Sequence, residues 1–117
     1  MIYSDNIYFA KVALKLGENN LTSFLEKLGF NKEIPFDIKM SISQYSNTEG
    51  IKSEIQLADS GYGQGQILIN PLHLASIYSA FSNDGNIIEP TLLYNPNYNP
   101  NICMPEVIKK ESIHTVL

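Results

Sequence analysis

Three apolar blocks of helical length punctuate this chain, and a glycine closes each one. The first holds Ile7, Tyr8, Phe9, Ala10, Val12, Ala13, Leu14 and Leu16. Asp5 or Asn6 supplies an N-cap and Gly17 a stop, which predicts a helix from about Ile7 to Leu16. It is apolar nearly all round, with Lys11 and Lys15 sharing one narrow wet strip, so it is expected to be buried on most sides. A chain of 117 residues has trouble surrounding such a helix, a first hint of missing packing partners. In the second block Asn20 is the expected cap, Leu21, Phe24, Leu25 and Leu28 form one face, and Gly29 ends the helix. That helix is short and amphipathic and is expected at the surface with one face inward.

The third block has the clearest start. Asn70 caps and Pro71 takes the first helical position, where its missing N–H costs nothing. The helix is expected over about Leu72 to Asn83, ending near Gly85. Leu72, Leu74, Ala75, Ile77, Tyr78, Ala80 and Phe81 make it largely buried, and His73, Ser76, Ser79 and Ser82 mark a polar side.

Between the blocks the pattern is weaker. Residues 30–60 read as irregular, pinned by Phe30, Ile34, Pro35 and Phe36, with Ser41 to Gly50 as a polar surface loop. Leu57-Ala58-Asp59-Ser60 leads into Gly61-Tyr62-Gly63-Gln64-Gly65, which holds too much glycine for a helix interior. Ile87 to Pro90 is extended, and Asn95 to Asn101 reads as an exposed loop. A last helix starts near Lys110 and is still running at Leu117 without a C-cap, which gives the expectation that the chain was cut in or just after this element.

Composition narrows the classes. The apolar content of 44% is that of a globular chain, and 117 residues allow one small domain. Net charge is -4, and all eight basic residues are lysine. Without arginine, nucleic-acid binding is disfavoured. No apolar run approaches the ~20 residues that cross a bilayer. Met1 leads straight into a polar cap, so no signal peptide is expected, and any export or anchoring segment would lie upstream. Cys103 is alone and reads as a small, partly buried hydrophobe.

Taken singly, the candidate motifs have plain structural readings. Ser4-Asp5-Asn6 is a helix cap. The glycine cluster lacks the lysine and hydroxyl pair of a phosphate-binding loop and the strand-to-helix setting of a dinucleotide fingerprint. His73 and His114 have no ligand-patterned neighbours, so no metal is expected, and no cofactor is implied.

Taken together, they say more. Penicillin-recognising serine enzymes use Ser-x-x-Lys, Ser-x-Asn and Lys-Thr/Ser-Gly motifs. Tyr3-Ser4-Asp5-Asn6-Ile7-Tyr8-Phe9-Ala10 resembles the second motif and its helix in high-molecular-weight, class B penicillin-binding transpeptidases. Gly63-Gln64-Gly65, Pro71-Leu72, Leu74-Ala75, Tyr78, Ala80 and Asn83-Asp84-Gly85 resemble the stretch those enzymes carry between their second and third motifs. The resemblance runs from Tyr3 to about Pro90, and more loosely to Leu117.

The resemblance implies a mainly α fragment of the α+β serine β-lactamase/D,D-peptidase fold, with residues 1–117 a partial transpeptidase domain. Ser4 matches the hydroxyl that bridges the nucleophile and the third-motif lysine, a task suited to a group that donates and accepts at once. Asn6 matches the amide that holds the first-motif lysine and the substrate peptide. Asp5 is expected to point inward and fix the loop. Tyr62 and Gln64 are candidate edges of the substrate groove, with turn geometry as their alternative role. The implied ligands are a peptidoglycan stem peptide and β-lactams, and the implied place is the outer face of a bacterial membrane.

The chain departs from the family at two decisive points. It contains no Ser-x-x-Lys, and Lys52-Ser53 is followed by Glu54 rather than glycine. Acyl transfer needs nucleophile, base and oxyanion hole within mutual reach, so the chain alone is expected to be inactive. Its uncovered apolar surface is expected to favour self-association. Alternatives are a fragment of a β-lactam sensor or serine β-lactamase, and a complete helical interaction domain with no catalytic history.

Overall fold

The structure, a computed structural model, describes residues 5–116. Its elements run α1 (Asn6–Leu16), α2 (Glu18–Lys27), α3 (Glu54–Ser60), α4 (Pro71–Ser82), β1 (Ile87–Ile88), β2 (Ile102–Met104) and α5 (Lys110–Val116). Strands β1 and β2 pair antiparallel, Ile87 with Met104 and Ile88 with Ile102. Cys103 is the extra residue of the resulting bulge, and its Sγ faces the Ile87 carbonyl at 3.4 Å. Burial pushes its thiol above the ordinary value, as fits a small hydrophobe.

The main core lies where the end of α2, α4 and the strand pair meet. Leu28, Phe30, Tyr45, Ala80, Ile87 and Val107 are buried there. A separate contact joins α1 to α3 through Ala13 and Gly61. The radius of gyration is 15.3 Å, against about 13 Å for a compact chain of this length. The molecule is drawn out, 48 × 33 × 24 Å, and much apolar surface stays uncovered.

The helix expected to be buried on most sides is not. In α1 only Ala13 is buried, and Ile7 is 70% exposed. One face rests on α3, α2 meets it as well, and much of the rest stays uncovered. In α2 the cap is Gly17 at φ +82, not Asn20, whose side-chain amide donates instead to the Leu16 carbonyl at 2.8 Å. Phe24 lies outside the inward face, whereas Leu21 and Leu25 are half-buried and Leu28 is buried.

Residues 30–60 contain a helix that the irregular reading missed. Ser53 Oγ accepts from Gln56 N at 3.2 Å, and Gln56 Oε1 accepts from Lys52 N at 2.9 Å. Ser53-x-x-Gln56 is a capping-box sequence, so a local signal was present. The segment read as a polar surface loop also buries Ser43, Tyr45 and Ser46. Their polar atoms are all paired, which makes the burial tolerable.

α4 starts at Pro71 and buries Ala80 as expected, but much of its polar side also turns inward while part of its apolar side stays open. His73 is 1% exposed and Ser76 is buried, whereas Leu74 is half uncovered and Tyr78 is 64% exposed. Ser76, Ser79 and Ser82 turn their hydroxyls onto carbonyls one turn back, and Ser79 Oγ also accepts from Ile88 N at 3.1 Å. Their polarity is absorbed locally, so this side can face the protein. The extended reading of Ile87 to Pro90 and the exposed loop at 95–101 match the structure, Tyr98 alone being half-buried there. α5 begins at Lys110; Leu117 lies outside the described residues.

Candidate active-site elements

The α1 N-terminus is organised by Asp5. Its backbone is extended (φ -76, ψ 93), and Oδ1 accepts from Tyr8 N at 2.9 Å. Asp5 is exposed, so it holds the helix start from outside rather than pointing inward. Asn6 is the first helical residue and is exposed, and its side chain makes no hydrogen bond to another described residue. Ser4 lies outside the described residues.

The glycine cluster begins as α3 ends. Gly61 caps α3 with φ -62 and ψ -24 and donates to the Ala58 carbonyl. Gly63 and Gly65 adopt φ +80 and +73, the left-handed region that favours glycine. Tyr62 Oη donates to Asp59 Oδ1 at 2.6 Å, and Gln64 N donates to the Asp59 carbonyl at 3.0 Å. The Asp59 hydrogen bond, then burial, raises the Tyr62 phenol above its usual range. Tyr62 is half-buried and Gln64 exposed, so both are at least partly open to a ligand. Asp59, which organises the turn, was not singled out from the sequence; its place three residues before Tyr62 was the available signal.

Behind the turn stands a polar knot. Gln66 Oε1 accepts from Ser46 Oγ at 3.0 Å, Asn47 N at 2.8 Å and Gln56 Nε2 at 3.2 Å. Gln44 and Leu68 exchange backbone hydrogen bonds at 2.8 and 2.9 Å. The loop at 44–50 and α3 are thereby tied to the chain leaving the glycine cluster. Gln66 is this network's hub and carried no signal in the sequence.

The two candidate segments are neighbours. Gly61 sits against Phe9 and Ala13 of α1, one and two turns from Asn6. Among the described residues no hydrogen bond joins Tyr62 or Gln64 directly to Asp5 or Asn6. A cleft of about 540 Å³ lined by Lys27, Asp84, Glu106 and Lys110 contains none of these residues. Among the described residues no cluster of His, Cys, Asp or Glu is arranged to hold a metal ion.

The helix that starts at Asn6 and the glycine-rich turn are the two segments that carry the resemblance. The family model described as penicillin binding protein transpeptidase domain matches residues 1–116. The chain belongs to this family. It is 39% identical over 111 residues to penicillin-binding protein 3 of Bacillus subtilis, covering 95% of this chain and 16% of that protein. It is 30% identical to a probable peptidoglycan D,D-transpeptidase, PbpC, of Pseudomonas aeruginosa over 94% of this chain and 20% of that one. A peptidoglycan D,D-transpeptidase FtsI homolog of Mesostigma viride is 28% identical over 77% of the chain and 16% of its own length. The chain therefore spans a fifth or less of these relatives.

The crystal structure of the D,D-transpeptidase domain of a peptidoglycan glycosyltransferase from Eggerthella lenta superposes with a TM-score of 0.71. At 20% identity it covers 97% of this chain and 32% of that one. The mainly helical chain with its small sheet is thus part of the penicillin-binding transpeptidase fold. Membership of the family removes the reading as a helical domain unrelated to these enzymes. Among the described residues no helix is long and apolar enough to cross a membrane.

Proposed function

We propose that this chain is the helix-rich middle of a transpeptidase domain, lying between its Ser-x-x-Lys and Lys-Thr/Ser-Gly motifs. The parent cross-links peptidoglycan. Its serine attacks the D-Ala-D-Ala carbonyl of a stem peptide and expels D-alanine. The acyl-serine ester then passes its acyl group to an amine of a neighbouring strand. β-Lactams acylate the same serine. The parent works at the outer face of a bacterial membrane, held by an upstream segment.

The observation that carries this reading is a family match over residues 1–116 in a chain that lacks both outer motifs. In this reading Ser4 relays a proton near the nucleophile and Asn6 holds the first-motif lysine and the substrate amide. Asp5 supports the helix start, and Tyr62 and Gln64 border the groove. The bond-making groups are absent, so the chain alone performs no acyl transfer. The uncovered apolar side of α1 supports a role inside a larger domain and favours self-association of the isolated chain.

Intact mass after exposure to benzylpenicillin tests this, on the chain and on a version extended through both missing motifs. The extended protein is expected to gain one drug mass and the chain none. If the extended protein gains nothing, the functional reading fails. D-alanine release from a stem peptide by the chain itself would overturn its inactivity.

A further inference from the structure

Gly61 differs from the other glycines of its cluster. Its backbone is right-handed helical, a conformation open to any residue. Glycine is therefore not needed there for a turn. What it supplies is the absence of a side chain. A Cβ at Gly61 would lie 2.5 Å from the Phe9 carbonyl oxygen and 2.7 Å from the Ala13 Cβ. Contacts below 3.0 Å are not tolerated, so α1 and the end of α3 would have to part by about half an ångström. The Phe9 carbonyl belongs to the helix backbone and cannot turn aside. Ala13, opposite, is the one buried residue of α1. The seat of α1 on its neighbour is thus a close glycine-to-backbone approach. On one side of that seat is the Asn6 helix start, and on the other the turn bearing Tyr62 and Gln64.

We propose that Gly61 is a positioning residue for the Ser-x-Asn segment, locking the start of α1 to the glycine turn as one unit. This rests on the reading of Ser4 and Asn6 given under the proposed function. Gly61 itself touches no reacting atom. It acts by setting where the α1 backbone lies.

Gly61→Ala and Gly63→Ala form the test. Nothing lies within 4 Å of a Cβ built at Gly63, but its φ of +80 makes alanine strained there. Gly63→Ala therefore disturbs the turn without pushing on α1. In this chain, Gly61→Ala is expected to shift the amide NMR resonances of Asn6 to Ala13, and Gly63→Ala to leave them in place. Ala13→Gly, which clears one of the two collisions, is expected to return the Gly61→Ala resonances part of the way. If Gly61→Ala does not fold, Ala13→Ser crowds the same contact from the other side and is expected to move the same resonances. In the extended protein, Gly61→Ala is expected to slow benzylpenicillin acylation at saturation by roughly tenfold, since a misplacement of about 1 Å can cost about a hundredfold. Gly63→Ala is expected to act mainly on the concentration for half-saturation.

Unmoved α1 resonances in Gly61→Ala, or in Ala13→Ser if the first does not fold, overturn this inference alone. So does an unchanged saturating rate in an extended protein that is otherwise acylated. An unsubstituted extended protein that takes up no drug overturns the functional reading, and this inference with it.

Discussion

His73 Nδ1 lies 2.6 Å from Ser43 Oγ, joining α4 to the loop at 41–46 inside the protein. The other ring nitrogen, Nε2, lies 2.8 Å from the Leu28 carbonyl. A carbonyl only accepts, so Nε2 carries a proton, and in the neutral ring Nδ1 accepts from the Ser43 hydroxyl. Ser43 Oγ in turn accepts from Asn70 N at 3.0 Å, at the cap of α4. The histidine is thus a three-way tie among α2, the loop and α4.

His73→Ala is expected to destabilise the chain by about 3 kcal/mol, from the cavity and the orphaned partners together. Ser43→Ala is expected to cost about 1–3 kcal/mol by stranding Nδ1 and the Asn70 N–H. Urea unfolding measures both. Losses indistinguishable from those of exposed substitutions would contradict the tie.

Gly85→Ala is expected to be worse than Gly29→Ala. Both glycines are left-handed, at φ +86 and +98, so either alanine costs about 1–2 kcal/mol in backbone strain. At Gly85 the new Cβ would strike the backbone carbonyl of Ile108, which cannot yield. At Gly29 it meets the flexible end of Met104 and, at 3.0 Å, His73 Nε2. Thermal unfolding of the two variants gives the order directly.

Tyr45 should ionise above the ordinary phenol value of 10.0. Its Oη donates to Glu26 at 2.7 Å, the leading cause, and burial adds to it. A raised folded pKa means the folded state holds the proton more tightly. That contribution to stability is complete below pH 10 and is lost as the pH rises through the folded value. Subtracting the ultraviolet titration of Tyr45→Phe from that of the parent chain should leave a component with its midpoint above 10. A midpoint at or below 10 would contradict the hydrogen bond.

The isolated chain is expected to self-associate through the bare side of α1. Ile7, Tyr8, Val12 and Leu16 are all exposed there. Val12→Glu, placed on that side, is expected to lower the association constant by about tenfold without loss of helix content. Sedimentation velocity with circular dichroism reads both. A monomeric parent chain at high concentration sinks the expectation.

Several local elements were legible in the chain. Pro71 after Asn70 marked the start of α4 to the residue, because cap and fixed φ act within one turn. Asp5 or Asn6 as cap and Gly17 as stop bracketed α1 for the same reason, and the structure takes Asp5. The family was legible too, since the order of Ser4-Asp5-Asn6 and Gly63-Gln64-Gly65 is a property of sequence alone. α3 was legible in principle from Ser53 and Gln56, but seven residues are too few for a periodic pattern to stand out.

Orientation was another matter. The composition of α4 puts its serines on a polar side, yet only the folded chain decides that this side faces inward. Hydroxyls bonded to their own helix need no water, and His73 found two partners from segments 30 and 45 residues away. The meaning of Gly61 was equally hidden. Its neighbour Phe9 is distant in sequence, and close approach between two backbones leaves no periodicity, cap or charge pattern. Caps and motif order are short-range properties and are written in the sequence. Which face is covered, and how near two helices lie, depends on contacts between distant residues, and those exist only in the tertiary structure.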